Sequence, residues 1–469
     1  CFQAGELKNA LAALSLSQER YTLIAEEMDA AKVLLDLGLV YMTLGKLDDA
    51  ENVYIKSLDF WRKTHNYLWQ AHLLNNLGMV QHHRGDHEKA VISFENAIVC
   101  ARMATNPRVE GYLFVSLGDL YRDVGAFEEA RKAYKLAHQT LLSIKDQALK
   151  VFLLLSNGSL ERMDGNFQAA SAMLADAKQN AEMGGSRYEL ALCALEQAIL
   201  EFRMGDHAQS AHKLDSLNSF FHEEGFHLEA LRAEYFHLLG SLLHEPDEGT
   251  ESRLADLIDA SMAGKDRPYF IQFSMETLDH LSNMMRDHQN SEIKSLVKIL
   301  EIFRSDLITL RKKIRRHSIT VQFTLPKYVI RAFGNSQVRI GDHTVSLSDW
   351  KTKSVRDVFF YILLHDEGVS KEDIGEALWP EVTEDVQKIR FKNSIYRLRH
   401  ALGSEVIDYT GDVYRFNRQM EYDFDVENFL QHVQMAHLAE EGTEKIPLLR
   451  EAVSCYKGDL LPKLDYEWV

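Results

Sequence analysis

Bulky side chains recur along the first half of the chain at a fixed interval of forty residues: Tyr54, Phe94, Tyr134, Leu174 and Leu214. Small residues keep the same interval at Ala50, Ala90, Ala130, Ala170 and Ser210, and glycine keeps it at Gly45, Gly85, Gly125, Gly165 and Gly205. A fourth column holds Leu37-Gly38, Leu77-Gly78 and Leu117-Gly118, followed by Asn157-Gly158 and Gln197-Ala198. Four columns in register over five copies are an internal repeat. Each copy predicts a helix, a glycine-marked turn and a second helix, whose small residue admits close packing while the bulky one fills the adjoining groove. Gly5, Ala10 and Leu14 fall in the same columns one period earlier, so the chain is expected to open halfway through a repeat and to be a fragment of a longer protein. From about 221 to 317 the columns blur while the helical period persists in Leu296, Ile299, Ile302, Phe303 and Leu307. That predicts further, irregular hairpins closing the solenoid.

After RKKIRRHS (311–318), whose cations suit the negative end of a helix, the pattern turns to period two. Tyr328, Ile330 and Ala332 alternate with Val329, Arg331 and Phe333, and QVRI follows before Gly341-Asp342, which predicts a small sheet. An amphipathic helix is expected over about 354–365, a short one over 371–379, a break at Pro380, and a third from Thr383 or Glu384 to Leu402. VIDYTGDVYRFN, turning at Gly411-Asp412, reads as a hairpin. Sheet, three helices and hairpin make the winged helix-turn-helix order, in which the third helix enters the DNA major groove.

Charge sharpens this reading. The chain carries −17, yet residues 311–420 hold 19 Lys or Arg against 14 Asp or Glu, a local +5 that leaves −22 for the rest. VQKIRFKNSIYRLRHALG (386–403) has five cations and no carboxylate. On a 100° wheel Phe391, Ile395, Leu398 and Leu402 form the stripe to be buried. Ile389, Arg390, Lys392, Asn393, Tyr396, Arg397 and His400 lie on the other side, a face of base-edge and phosphate donors. The candidate DNA-binding set is therefore Lys388, Arg390, Lys392, Asn393, Tyr396, Arg397 and His400, joined by Arg415 from the hairpin. Base contacts are expected of Arg390, Asn393 and Arg397. Arg399, nearer the buried stripe, is expected to support the fold; Arg415 and Arg418 are read equally as phosphate contacts or as surface arginines.

The repeat columns resemble the tetratricopeptide (TPR) repeat, with a period longer than the usual ~34, as in the helical-repeat regions of large bacterial transcription regulators. EALWPE and IYRLRHALG, with Trp350, Lys353 and the FFYILLH run at 359–365, resemble the DNA-binding domain of SARP-type bacterial transcription activators. YDFDVENF (422–429) and CYKGDLLP (455–462) resemble the start of that family's bacterial transcriptional activation domain. The fold class expected is mainly α: a TPR-like α-solenoid over 1–317, an α+β winged helix-turn-helix domain over 318–420, and a truncated TPR-like activation domain over 421–469. The resemblance implies double-stranded promoter DNA and RNA polymerase or other transcription proteins as partners, an effector or protein on the solenoid, and a nucleotide-binding signalling domain upstream. The alternative is a TPR scaffold whose winged helix mediates protein contacts.

No apolar run reaches the ~18 residues of a membrane span, and Cys1, Cys100, Cys193 and Cys455 lie far apart, so reduced thiols and a cytoplasmic location are expected, with no membrane partner. No GxxxxGK[ST] loop, GxSxG elbow or HExxH helix occurs, so no enzyme activity and no cofactor are expected. His82, His83 and His87 are read as surface histidines, not a metal cluster, because Gly85 puts a turn between them. Tyr54, Phe94 and Tyr134 are read as packing between helices.

Overall fold

The computed structural model describes residues 7–284, 290–323, 328–341, 343–418, 420, 422–438 and 445–462. They fall into two compact units, Cys1–Phe323 and Thr324–Val469.

The first unit begins with helices on a twenty-residue grid: α1 (Leu7–Leu23), α2 (Glu27–Thr43), α3 (Leu47–Lys63), α4 (Tyr67–His83), α5 (His87–Met103) and α6 (Pro107–Asp123). The grid continues through α7 (Phe127–Ile144), α8 (Gln147–Met163), α9 (Phe167–Gly184), α10 (Arg187–Arg203), α11 (His207–Glu224) and α12 (His227–His244). A helix of 17 residues plus a three-residue connection fills half the forty-residue period. The glycine turn is required by geometry: Gly85 sits at φ +78°, a left-handed conformation that side-chain-bearing residues rarely adopt. The other turn is set by a cap, since the side chains of Asn66, Asn106, Asp146 and Ser186 accept hydrogen bonds from the backbone N–H groups of Trp69, Val109, Leu149 and Glu189.

Within a hairpin the Leu-Gly column faces the bulky column. A Cβ added at Gly78 would lie 2.6 Å from Phe94 Cε1, and one at Gly158 the same distance from Leu174 Cδ2. Tyr54, Phe94 and Tyr134 are all buried, so they pack between helices as their period implies.

The remainder of this unit departs from the expectation of stacked hairpins. α13 (Glu248–Ala263), α14 (Arg267–Ser274), a 3-10 turn (Met275–Thr277), α15 (Leu278–Met284) and α16 (Ser291–His317) run back over helices and glycine turns of earlier repeats. Lys265 Nζ pairs with Asp48 at 2.5 Å, and Arg311 Nη1 donates to the Gly125 carbonyl at 3.2 Å. Tyr121 Oη donates to Ser318 Oγ at 2.9 Å, while the N–H groups of Ile319 and Thr320 donate to Glu95 Oε1 at 2.9 and 3.0 Å. Ile314 and Val321 join the hydrophobic core of the early repeats.

In the second unit, β1 (Tyr328–Arg331), β2 (Gln337–Ile340), β3 (His343–Thr344) and β6 (Tyr422–Phe424) form a sheet of order β3-β2-β1-β6. β1 pairs antiparallel with β2 and parallel with β6, so the sheet includes residues beyond 420. Between its strands lie α17 (Leu347–Trp350), α18 (Lys353–Leu364), α19 (Lys371–Leu378), α20 (Glu384–Leu402) and a hairpin of β4 (Ile407–Thr410) with β5 (Val413–Phe416). Gly411 and Asp412 turn the hairpin at φ +62° and +63°, the pair of left-handed residues that a two-residue connection needs. α21 (Asp425–Leu438) and α22 (Lys445–Cys455) follow. Asp425 ties them to the sheet, its carboxylate accepting from the backbone N–H of Ala332 at 2.9 Å and of Phe333 at 3.1 Å.

Candidate nucleic-acid interface

α20 is held by its apolar stripe. Phe391, Ile395, Leu398 and Leu402 are buried with Val358, Phe359 and Ile374 in the core of the second unit, and α20 packs on α18 and α19. Phe391 also meets Tyr414 of β5 edge to face, with ring centroids 4.8 Å apart. Arg399 Nη2 donates to the Ile407 carbonyl at 3.1 Å, which makes that residue a brace between α20 and the hairpin.

Burial of this stripe turns the opposite side of the helix outward, and Lys388, Arg390, Lys392, Asn393, Tyr396, Arg397 and His400 are all exposed within the second unit. Lys392, Asn393 and Arg397 have no hydrogen-bond or ion-pair partner among the described residues. Tyr396 and His400 lie one turn apart with parallel rings, centroids 6.5 Å apart. Two cations are not free. Lys388 Nζ pairs with Glu384 at 3.0 Å, and Arg390 Nη1 pairs with Glu381 at 3.2 Å. The hydrogen bond that Lys388 donates to Glu384 raises its ammonium pKa above the ordinary value. The segment 386–403 itself lacks carboxylates, but Glu384 supplies one at helical reach and Glu381 another from the loop before α20.

Arg415 stands apart from this face. Its Nε donates to the Glu367 carbonyl at 2.7 Å, and its stem lies over Gly368, where a Cβ would sit 2.5 Å from Arg415 Cγ. Arg418 is also engaged, with Asp366, with Glu427 at 3.2 Å and with the Leu363 carbonyl at 3.0 Å. Both arginines are thus tied to the loop after α18, although Arg415 remains exposed. Lys371, at the start of α19, was not singled out by sequence; it lines a groove of about 660 Å³ with Lys388, Lys392, Tyr396, His400 and Tyr414. Its signal is the Ser370 capping box, which fixes α19 with its first residue beside that groove.

The histidine trio is a correction. His82 and His87 are buried rather than on the surface, because α14 lies over them: His82 Nε2 is 3.2 Å from Asp123 and 3.3 Å from Gln272, and His83 meets Tyr269 edge to face at 5.2 Å. Burial, reinforced by repulsion from His82, lowers His83 to about 4 and His87 to about 3. Among the described residues no group of three or more His, Cys, Asp or Glu could hold a metal ion.

Beside the histidines a cavity of about 180 Å³ is lined by paired buried charges. Arg162, with no exposed surface, binds Glu196 at 2.8 Å and also Glu276, and Arg232 binds Glu196 at 2.6 Å. Burial would raise the Glu196 carboxyl, but Arg232 and Arg162 outweigh it and hold the group at about 2. This lattice fastens the 3-10 turn to α8, α10 and α12.

Residues 29–101 match the tetratricopeptide repeat family. The match spans helices α2 to α5, whose repeat is of the tetratricopeptide type. Repeats of this type are protein-interaction scaffolds. The Tonsoku-like protein of Danio rerio is 31% identical over 108 residues, which are 23% of this chain and 8% of that protein, so the chain spans under a tenth of that relative. Among solved structures, a Rap protein complexed with Competence and Sporulation Factor is 12% identical with a TM-score of 0.47, covering 67% of this chain and 90% of that one. A tetratricopeptide repeat protein from Parabacteroides merdae is 16% identical with a TM-score of 0.35, covering 62% of this chain and 99% of that one. No helix among the described residues is long and apolar enough to cross a membrane.

Proposed function

We propose that the chain is a DNA-binding regulatory protein of the SARP type, in which the second unit binds promoter DNA as a winged helix and the repeat unit receives a protein partner or effector. The observation that carries this reading is the outward face of α20, where Lys392, Asn393 and Arg397 stand without partners among the described residues, on a helix whose other side is fully used by the core. Side chains left to water along one helix face, cationic and amide in character, match the phosphates and base edges of a major groove. The β4–β5 hairpin takes the place of the wing. On this reading the protein is a binding protein and not an enzyme, acts in the cytoplasm, needs no cofactor, and has RNA polymerase or other transcription proteins as partners.

Four cations on α20, Lys388, Arg390, Lys392 and Arg397, would each displace counterions, so log K should fall against log salt with a slope of about −3.6. Arg397→Ala, which removes one of these phosphate contacts, should weaken binding about uniformly across duplexes and reduce the salt slope by about 1. Fluorescence anisotropy of labelled duplexes across a salt series measures both; a flat salt response, with equal affinity for the two proteins, would remove the assignment. The second reading, a scaffold whose α20 face binds protein, is favoured by the exposure of Ile389 and Tyr396 on that same face. It predicts a partner complex that survives reversal of all four cations to Glu.

A further inference from the structure

The face of α20 is not uniformly basic. Ile389, Asn393, Tyr396 and His400, spaced at i, i+4, i+7 and i+11, form its central stripe, directly opposite the buried one. Arg390 and Arg397 lie along one side of that stripe, and Lys388 and Lys392 along the other. Two of the central residues are large and apolar in body: Ile389 is 62% exposed and Tyr396 73%. Val386, exposed one turn before, extends the apolar end. The stripe is about 16 Å long, from eleven steps of ~1.5 Å, or roughly five base pairs at ~3.4 Å.

A row of cations on each flank suits the two phosphate backbones that border a groove, and these contacts carry no sequence information. Whatever occupies the middle meets base edges. Aliphatic carbon there has one favourable counterpart in the major groove, the C5-methyl of thymine, and an amide has one bidentate counterpart, adenine N6 and N7. Ile389 and Asn393 are one helical turn apart, close enough to address the same or adjacent base pairs.

We propose that α20 selects A·T pairs, with Ile389 packed on a thymine methyl and Asn393 bonded to adenine. This rests on the DNA-binding reading above and adds the base class that the site takes. The guanidiniums of Arg390 and Arg397 act on phosphates in this arrangement, so guanine is not the principal base recognised.

The test uses the full 469-residue chain. Duplexes are selected from a random pool, and the selected duplex is then remade with deoxyuridine replacing each thymine in turn, which removes only the methyl. Anisotropy titrations should show an enriched A·T step and a loss of about fourfold at one or two thymines, the factor that one buried methyl group carries. Ile389→Ala should bind the thymine and uracil duplexes alike, at the affinity of the unaltered chain for uracil. Asn393→Ala should relax the preference at the adjoining adenine. Equal affinity of the unaltered chain for both duplexes overturns the proposal while leaving DNA binding intact, as does discrimination that persists in Ile389→Ala. Failure to enrich any duplex overturns the DNA-binding reading and this inference with it; capture of an apolar protein segment by the same face, lost in Ile389→Ala, would then identify the occupant.

Discussion

Gly78→Ala sets two known magnitudes against each other. Alanine in place of glycine within a helix is worth about 1 kcal/mol of propensity. Against this, the new Cβ would lie 2.6 Å from Phe94 Cε1 and 2.8 Å from Cδ1, roughly 1 Å inside the ~3.5–4.0 Å optimum for carbon contacts. Phe94 has no exposed surface, so its ring can yield only towards the small cavity it helps line beside His82 and His83. Overpacking of this kind costs about 1–3 kcal/mol and occasionally more, so the clash offsets the propensity gain and leaves a net loss of up to about 2 kcal/mol. The chain contains its own control, since at the equivalent positions of a later copy Ala198 and Leu214 stand where Gly78 and Phe94 do here. Phe94→Leu should therefore relieve most of the cost of Gly78→Ala, with a coupling energy of about 1–3 kcal/mol between the two sites. Hydrogen exchange of α4 and α5 amides reads the local stability directly, and the single variant should exchange faster, by up to about 30-fold. Slower exchange in Gly78→Ala, or additive effects in the double variant, would refute the reasoning that this glycine exists to admit the ring.

Arg162→Met removes the guanidinium shared by Glu196 and Glu276, leaving buried carboxylates under-compensated, and should cost about 3–5 kcal/mol in urea unfolding. Adding Glu276→Gln should restore a large part of that loss, and a cost under about 1 kcal/mol would show the lattice to be slack. Stability should also fall with acid in two windows. His83 and His87 are held neutral, so the unfolded chain binds protons first and stability is lost as pH drops from 6.5 towards 4. Glu196, depressed from 4.5 to about 2, adds a loss as pH falls between those values, and thermal melts that stay level down to pH 4 would contradict the burial of the histidines.

What could be read in advance follows from periodicity. The forty-residue columns specified hairpin, turn and ring-to-glycine packing because each contact joins residues within one copy of the repeated unit. The cap at Asn66, Asn106, Asp146 and Ser186 is a further column at the same interval as the glycines, and its polar residues vary in type. The return of residues 264–323 over the early repeats was not legible, because Lys265 with Asp48 or Thr320 with Glu95 are single long-range pairs with no periodic trace. The histidine reading differs from the structure for the same reason: the returning segment, through Tyr269 and Gln272, helps to cover the histidines. In the second unit the buried stripe of α20, and hence its outward face, followed from a 100° wheel. The engagement of Arg415 with the Glu367 carbonyl did not, since a backbone acceptor leaves no mark in the sequence.

The central claim is that the cationic, outward side of α20 meets duplex DNA. The most direct measurement is a gel-shift titration of a selected duplex with the full chain and with Lys388, Arg390, Lys392 and Arg397 all changed to Glu. The account predicts a salt-sensitive complex with the first protein and none with the second, while the two retain the same thermal unfolding. Equal affinity for both, or no duplex bound by the unaltered chain, would contradict it.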